Sequence, residues 1–434
     1  MYEGVEFLQH FINRLREKKI VMASLRYKPY TKEMAFSGDY DFITADVNVD
    51  AILQTLFDLA SEHCINFVIN RVKYGKVMIE IYNQHDDDFI LLEIWTYLDV
   101  KYAKSLGYIL WEDIEKEIVY DEEKGYRLSL EFEALYYIAH LQSKKKDLSV
   151  ALIKTRLQHY LDALKNENST LSTLYERLVN DTASLDKIAS EANDILIEKG
   201  LLYTEANKEK KAKVQEIRFK RAKGRIYAQI LRKVKVIPVV GPDGVGKTSV
   251  IEEMKRKSHS KIKYYRFKGL FRHSLLYKLS SLYLRKKLPK RVPKNQYDDI
   301  YGAWLIRIAS LRYPFVVLAA WLSGRFYFSD RFFHDFIIQD TRFLEKEAKL
   351  RKNWKELLKL TPNSFWFIHL DASTEVILSR KDELNAAAIE SYRRYIFQMY
   401  LEKPSLLYSY INTSLDLQRC VIPLLHTSKL IGMK

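Results

Sequence analysis

The feature that most constrains the fold is a glycine-rich stretch between a mostly apolar run and a helical pattern. The stretch begins at Gly241 and reads GPDGVGKTS. Residues 234–240 before it have the composition of a buried strand, and the apolar spacing from Val250 onward is helical. This order matches G-x-x-x-x-G-K-[ST] in its strand–loop–helix context. It predicts an α/β domain with a parallel sheet flanked by helices.

The residue types in this loop suit the binding of phosphate. Glycines let main-chain N–H groups converge on phosphate oxygens, and the helix that starts there directs its positive dipole end at them. Lys247 can neutralise the β and γ phosphates, and the Thr248 hydroxyl can hold magnesium. ATP and magnesium are therefore the predicted cofactors, bound by Gly241, Asp243, Gly244, Gly246, Lys247, Thr248 and Ser249.

Two later strand-like runs also end in charged residues. Residues 325–329 lead into Asp330 and Arg331, and residues 364–371 end in an aspartate. Because the carboxyl ends of parallel strands meet at one edge of a sheet, these side chains are expected beside the loop. A carboxylate there can hold magnesium or accept a proton, and an arginine can clamp a phosphate. The later run Tyr392–Tyr395 predicts a basic lid, although surface ion pairs are the competing interpretation throughout.

Together these motifs resemble the thymidylate kinase family of P-loop kinases over residues 234–434. The residues that carry the resemblance are Gly241 to Thr248 with Asp243, then Asp330-Arg331-Phe332, Leu370-Asp371 and Arg380. The resemblance implies that Lys247, Asp330, Arg331 and Arg380 are catalytic. It further implies that Asp243 faces the acceptor and that Thr248 and Asp330 hold the metal.

One departure from the family bears on the acceptor. Thymidylate kinases bind their nucleotide substrate with an Arg-Glu-Pro-Gly run, and residues 264–269 here read YYRFKG instead. The expected acceptor is therefore not thymidylate but another small molecule, such as a sugar, a polyol or a nucleotide precursor.

A second candidate site lies in the N-terminal half. Asp39 and Asp41 alternate within residues 38–43, so on an extended strand both side chains point to one face. With Glu93 from another strand-like run they make a predicted magnesium site for nucleotidyl transfer. The same Ser-Gly-Asp-Tyr-Asp stretch also fits an ordinary polar turn.

Residues 21–27 followed by 38–43 resemble a nucleotidyltransferase-like family encoded with bacterial surface-polysaccharide genes. The resemblance implies a helical tail after this domain, fusion to a thymidylate kinase-like module, and a role in surface-glycan biosynthesis. The Gly-Ser pair that usually precedes the two acidic residues is replaced by Ala23-Ser24 or Ser37-Gly38. A domain that holds substrate or regulates, without nucleotidyl transfer, is therefore the alternative.

The chain divides into four predicted segments. Residues 1–126 form the α+β nucleotidyltransferase-like domain and residues 127–207 a helical bundle. Residues 208–233 are a basic linker or exposed helix, because residues 208–235 contain twelve Lys or Arg and only two Glu. Residues 234–434 form the P-loop domain.

The net charge of +16 favours anionic partners. The predicted partners are ATP and a small phosphate acceptor, with an anionic membrane surface or lipid-linked glycan as a further one and nucleic acid as a less favoured one. A nucleic-acid end-processing enzyme and a non-catalytic ATP-binding switch are the alternative functions. The chain has only two cysteines, no signal sequence and no apolar run near 20 residues, which predicts a cytoplasmic protein, with the inner membrane face as an alternative. Its longest apolar run, residues 313–322, is expected to form a buried helix.

Overall fold

The computed structural model describes most of the chain. The described residues are 4–26, 39–82, 88–102, 105–121, 125–180, 183–204, 210–258, 261–267, 275–287, 294–338, 354–381 and 385–433. The predicted fold class is confirmed, since the chain forms an α/β structure whose large sheet is flanked by helices.

The phosphate-loop half of the sheet consists of parallel strands, as the alternation of strand and helix predicts. In the described part of the chain these strands lie in the order β12-β13-β11-β14-β15. Their bounds are β11 Val236–Val240, β12 Ile262–Arg266, β13 Phe326–Asp330, β14 Trp366–Asp371 and β15 Leu407–Asn412.

The N-terminal half continues the same sheet rather than forming one of its own. Strand β15 pairs antiparallel with β3, with Tyr410 opposite Phe67, and the order continues β3-β4-β5-β2-β1-β9-β8. The bounds are β1 Ala23–Ser24, β2 Tyr40–Ile43, β3 Phe67–Asn70, β4 Lys76–Tyr82, β5 Phe89–Trp95, β8 Ile118–Asp121 and β9 Gly125–Leu128. A separate sheet contains β6 Tyr97–Tyr102, β7 Ser105–Leu110 and β10 Leu202–Tyr203. The two halves also share one apolar core, in which the rings of Phe57 and Phe397 stack with centroids 4.1 Å apart.

Helices cover both faces of the large sheet and form the bundle that follows β9. The N-terminal helices are α1 Gly4–Glu17, α2 Val49–His63 and α3 Trp111–Ile114, and those of the bundle are α4 Leu130–Ser143, α5 Ala151–Asn166, α6 Ser172–Val179 and α7 Leu185–Glu198. The helices after the bundle are α8 Lys211–Arg232, α9 Lys247–Lys257, α10 Leu275–Lys287, α11 Lys294–Ser323, α12 Phe333–Ile337, α13 Trp354–Leu360, α14 Thr374–Arg380, α15 Ala386–Glu402 and α16 Leu417–Leu430.

The basic stretch 208–233 folds mostly into α8, which packs on both halves. Val214 and Leu231 near its two ends are buried, the first beside Tyr97 and Tyr108 and the second in the core around the phosphate loop. Several of its cations pair with carboxylates of the N-terminal half, including Arg221 with Asp99 at 3.1 Å. The stretch is therefore a structural helix and not a free connection.

The expectation of a buried helix at residues 313–322 is wrong in part. These residues lie in α11, where Leu311, Phe315 and Leu322 are each at least 70% exposed. Within the described residues, Gly302–Ser323 is the one helix whose length and composition would suffice to cross a membrane, and only about a third of its most apolar stretch is buried. Core helices of soluble proteins reach the same length and composition, so this helix does not by itself indicate a membrane span.

Candidate functional site

The phosphate loop leaves the sheet between two strands that end in aspartates. Strand β11 is buried along its length and lies between β13 and β14, with Val239 opposite Asp330 on one side and Ile368 on the other. Pro238 keeps register with Ser329 without interruption, and pairing to β14 begins one residue later. The loop therefore emerges at the carboxyl edge of the parallel strands, where sheets of this type bind ligands.

Two glycines fix the path of the loop. A Cβ at Gly241 would lie 2.3 Å from the carbonyl oxygen of Leu370, so no larger residue fits against that strand. Gly246 takes the left-handed conformation, with φ of +90°, and no side chain caps the helix that starts after it. The first amides of α9 are thus presented to the loop, an arrangement suited to an anion.

Lys247 is buried beneath the loop with its ammonium group held by main-chain oxygens. Its Nζ donates to the carbonyls of Gly241 and Pro242 at 2.8 and 2.9 Å and lies 3.7 Å from Asp243 Oδ1. Burial lowers the pKa of Lys247, and the nearby Arg331 lowers it further. The loop therefore positions a cation where the phosphates of a nucleotide would lie. Thr248 and Ser249 follow on the exposed side of the first turn.

Asp243 and Arg331 form an ion pair across the mouth of the loop. One guanidinium nitrogen of Arg331 lies 2.5 Å from both carboxylate oxygens of Asp243. Burial alone would raise the pKa of Asp243, but Arg331 and Lys247 outweigh it and hold that pKa below its usual value. Arg331 adopts a positive φ of 69°, which is rare for a residue with a side chain and marks a strained backbone at this point.

A buried network behind the ion pair links the loop to α12 and α15. The amide of Gly241 donates to the Tyr392 hydroxyl at 3.3 Å, and that hydroxyl donates to Asp335. Burial raises the pKa of Asp335, against the opposing effect of Arg331. The position of Tyr392 and Asp335 shows that α15 supports the loop from within.

Asp330 presents one carboxylate oxygen to the site without a protein partner. Its Oδ2 accepts a hydrogen bond from the Tyr264 hydroxyl at 2.5 Å, whereas its Oδ1 is buried and unpaired among the described residues. A buried carboxylate oxygen normally has a donor or a metal ion beside it. This oxygen and the exposed hydroxyl of Thr248 therefore fit the predicted magnesium, which keeps most of its ligands as water. The glycine cradle and Lys247 likewise fit the phosphates of ATP.

Arg380 lies beside the loop, at the C-terminal end of α14. Its guanidinium donates to the carbonyl and hydroxyl oxygens of Thr413 at 3.0 and 3.3 Å, and the Thr413 hydroxyl donates to the Val245 carbonyl at 2.6 Å. A Cβ at Gly246 would lie 3.9 Å from Arg380 Nη1. The structure thus brings Arg380 together with the loop residues.

The prediction of a basic lid from Tyr392–Tyr395 is wrong for two of its members. Tyr392 belongs to the buried network at Gly241, and Arg393 is buried in an ion pair with Asp371. Arg393 also donates to the Ala372 carbonyl at 2.7 Å, and the Tyr410 hydroxyl donates to Asp371 at 2.7 Å. Asp371 is consequently a fully buried structural partner of α15 and β15.

The three N-terminal candidates line one cavity of about 620 Å³. Asp41 on β2 lies opposite Glu93 on the neighbouring β5, so the predicted common face of the strands exists. Two of these carboxylates are engaged by basic side chains, however. Asp41 is paired with Arg26, and Glu93 with Lys76 at 2.5 Å.

Asp39 is exposed and directly precedes β2. Within the described ranges no group of three His, Cys, Asp or Glu side chains is placed to hold a metal ion. The predicted magnesium site of Asp39, Asp41 and Glu93 is therefore not formed in this arrangement, because basic side chains neutralise two of its members.

Three residues that complete the phosphate-loop site were not predictable from a sequence motif. Tyr264 and Thr413 contact the predicted site residues Asp330 and Arg380, and Asp335 accepts a hydrogen bond from Tyr392, yet none of the three belongs to a recognisable motif. Asp335 lies five residues after Asp330, and this closeness in sequence was the one available signal for it.

Comparisons with known proteins give only remote likenesses. No family model matches the chain, and no curated protein sequence matches it at a significant level. A thymidylate kinase from Ehrlichia chaffeensis covers 45% of this chain and 97% of its own, at 13% identity and a TM-score of 0.28. An unliganded sugar kinase from Janibacter sp. HTCC2649 covers 46% of this chain and 95% of its own, at 14% identity and a TM-score of 0.22. Scores this low carry no argument about activity, which must rest on the site itself.

Proposed function

We propose that this chain is an ATP-dependent phosphotransferase that acts on a small acceptor. The observation that carries the proposal is the convergence at one sheet edge of a buried lysine, a glycine cradle and the unpaired oxygen of Asp330. A loop that only bound ATP would need the cradle and Lys247. The charged groups at the loop mouth, Asp243 and Arg331, are not needed to bind ATP and are suited to a second substrate.

The roles follow from position. Lys247 would neutralise the terminal phosphates of ATP, Thr248 and Asp330 would hold magnesium, and Arg380 would stabilise charge on the transferring group. The bound nucleotide and metal supply the activated phosphoryl group. Arg331 orients the acceptor, whose oxygen forms the new bond to phosphorus as the bond to the β-phosphate oxygen breaks. Where Asp330 does not hold magnesium it accepts the hydroxyl proton, and where it does the proton passes to water; ADP leaves in both cases.

The acceptor we propose is a sugar, a polyol or a nucleotide-type molecule used in surface-glycan biosynthesis. The support is the resemblance of both halves to modules found with polysaccharide genes, together with the departure at 264–269 from the thymidylate-binding run. A lipid-linked glycan would bring the chain to an anionic membrane face. Leu275, Leu279 and Leu282 on one face of α10 are exposed and support that location. Flotation with anionic vesicles tests it, and recovery of the protein only in the unbound fraction would contradict it.

Processing of nucleic-acid ends is the second candidate, and the charge of +16 is the observation that favours it. Part of that charge is already neutralised within the protein. In and beside α8, Lys210, Lys213 and Arg221 pair with Asp113, Glu112 and Asp99. Salt-dependent retention on RNA would support this candidate, whereas elution at low salt would contradict it.

We propose further that the N-terminal half does not transfer nucleotidyl groups. The support is the pairing of Asp41 with Arg26 and of Glu93 with Lys76, which leaves no carboxylate cluster for two metal ions among the described residues. Its relation to a nucleotidyltransferase would then be one of ancestry, with a substrate-holding or regulatory role retained.

One experiment tests the phosphotransfer directly. Purified protein is incubated with γ-labelled ATP, magnesium and a panel of sugars, polyols, nucleoside monophosphates and short RNA ends. Labelling of one small acceptor class by the native chain, but not by Lys247→Ala, is the expected result. Labelling of RNA ends alone would favour the second candidate. ATP binding without labelled product across the panel would favour a non-catalytic ATP-binding switch over the proposed enzyme.

A further inference from the structure

The N-terminal cavity is better suited to a phosphate-bearing ligand than to a metal ion. It encloses about 620 Å³, enough for a small organic molecule, and lies among β2, β5, β6 and the helical bundle. The basic residues that line it are Arg26, Lys73, Lys76, Lys101, Lys144, Lys146 and Arg156. The acidic ones are Asp39, Asp41, Glu93, Asp99 and Asp147, so cations are in excess by two.

The pairing of these charges leaves the excess at one side of the cavity. Asp41, Glu93 and Asp99 are engaged by Arg26, Lys76 and Lys73, the last pair at 3.6 Å. The remaining basic side chains are Lys101, Lys144, Lys146 and Arg156, against Asp39 and Asp147, and none of these four cations belongs to an ion pair found among the described residues. These four therefore face the cavity with charge that an anion could neutralise.

Two further observations point in the same direction. His140 lines the cavity, and burial together with the nearby cations Arg26, Lys144, Lys146 and Arg156 lowers its pKa to about 3. A positive potential at this wall has that effect on a neighbouring imidazole. The indole ring of Trp95 holds the ammonium groups of Lys73 and Lys76 at 4.3 and 4.5 Å from its centroid, so these cations are already in position.

We propose that this cavity binds a small molecule through a phosphate group and without a metal ion. Lys101 and Arg156 supply the principal contacts, and the basic residues of the loop between α4 and α5 close the rim. The inference rests on the cavity alone and is independent of phosphoryl transfer at the loop.

The test uses the full chain carrying Lys247→Ala, which weakens nucleotide phosphate binding at the loop. Binding of inorganic phosphate, a sugar phosphate and ADP is measured by calorimetry in EDTA. The same chain with Lys101→Gln and Arg156→Gln added is compared with a control carrying Lys154→Gln, an exposed position on the same helix as Arg156 that does not line the cavity. Thermal unfolding confirms that each variant is folded.

The expected result is binding in EDTA that falls by roughly tenfold to a hundredfold in the double variant and is unchanged in the control. The relative affinities of the sugar phosphate and ADP then identify the ligand class. No binding of any probe, binding that requires magnesium, or equal binding by the double variant and the control would each overturn the proposal. Phosphoryl transfer by the chain with only the two cavity substitutions is assayed in parallel, so failure here is distinguished from failure of the proposed kinase activity.

Discussion

The phosphate loop and the N-terminal cavity contain the same kinds of side chain in opposite arrangements. At the loop, Asp330 lies at a strand end, with one oxygen bound by a neutral hydroxyl and the other without a partner in the described part of the chain. In the cavity, Asp41 and Glu93 lie side by side within adjacent strands, and each is neutralised by a cation. The difference shows that neighbouring acidic residues predict a metal site only when the basic side chains that could neutralise them are also known.

The two sites share a sheet but not a surface. Five strands separate β11 from β2 in the sheet order, so at about 4.8 Å per step the sites lie roughly 29 Å apart along it. The substitutions below test whether that separation is functional as well as spatial.

The largest effect is expected from Lys247→Ala. The substitution removes the one buried ammonium group from a loop whose other donors are main-chain amides, so turnover of ATP should fall by about 1,000-fold. Hydrolysis or transfer of γ-labelled phosphate provides the measurement. Lys255→Ala on the exposed side of the same helix is the matched control and should retain full activity. Full turnover by Lys247→Ala would exclude the loop as the nucleotide site.

The next effect, about 100-fold on turnover, is expected from Asp330→Asn. The amide preserves the shape of the side chain but removes the charge that faces magnesium and the acceptor proton. Affinity for ATP, measured by equilibrium dialysis, should be nearly unchanged. Loss of binding with unchanged turnover per bound ATP would show instead that Asp330 belongs to the cradle.

The contrast between the two sites also explains what the sequence could predict. The loop from Gly241 to Thr248 is local, because neighbouring residues along the chain form the cradle, and its strand–loop–helix context was therefore predictable. The Arg26–Asp41 pair was not, since Arg26 lies just after β1, Asp41 lies within β2 and no sequence pattern relates them.

Long-range pairing was the other limit. Tyr410 lies opposite Phe67 across β15 and β3, although more than 300 residues separate them in the sequence. The composition of either strand predicts burial but not its partner. The four predicted segments therefore include two that share a single sheet and core.

A moderate effect on stability is expected from Asn66→Ala at the junction of the halves. Asn66 accepts from the Asn412 amide at 2.7 Å and donates to the Arg419 carbonyl, so its loss leaves a buried amide unpaired. Unfolding in denaturant should become easier by about 1–3 kcal/mol, in a single transition for both halves. Asn70→Ala, which breaks a hydrogen bond within the N-terminal half, is the control. A separate early transition of the N-terminal half in the native chain would show that the shared sheet does not couple the two.

The smallest effect, a change within about twofold, is expected on phosphoryl transfer from the double substitution Asp39→Asn and Asp41→Asn. The reason is distance: the cavity lies about 29 Å from the loop along the sheet, well beyond the Debye length of about 8 Å at physiological ionic strength. The double variant and the native chain are compared in the same γ-labelled assay, at saturating and at limiting acceptor. An unchanged rate at both concentrations would establish two separate sites. A lost rate in a folded protein would mean either that the cavity holds the acceptor or that it acts on the loop through the shared strands. The two acceptor concentrations separate these explanations, because saturating acceptor would restore the rate only if the defect lies in acceptor binding.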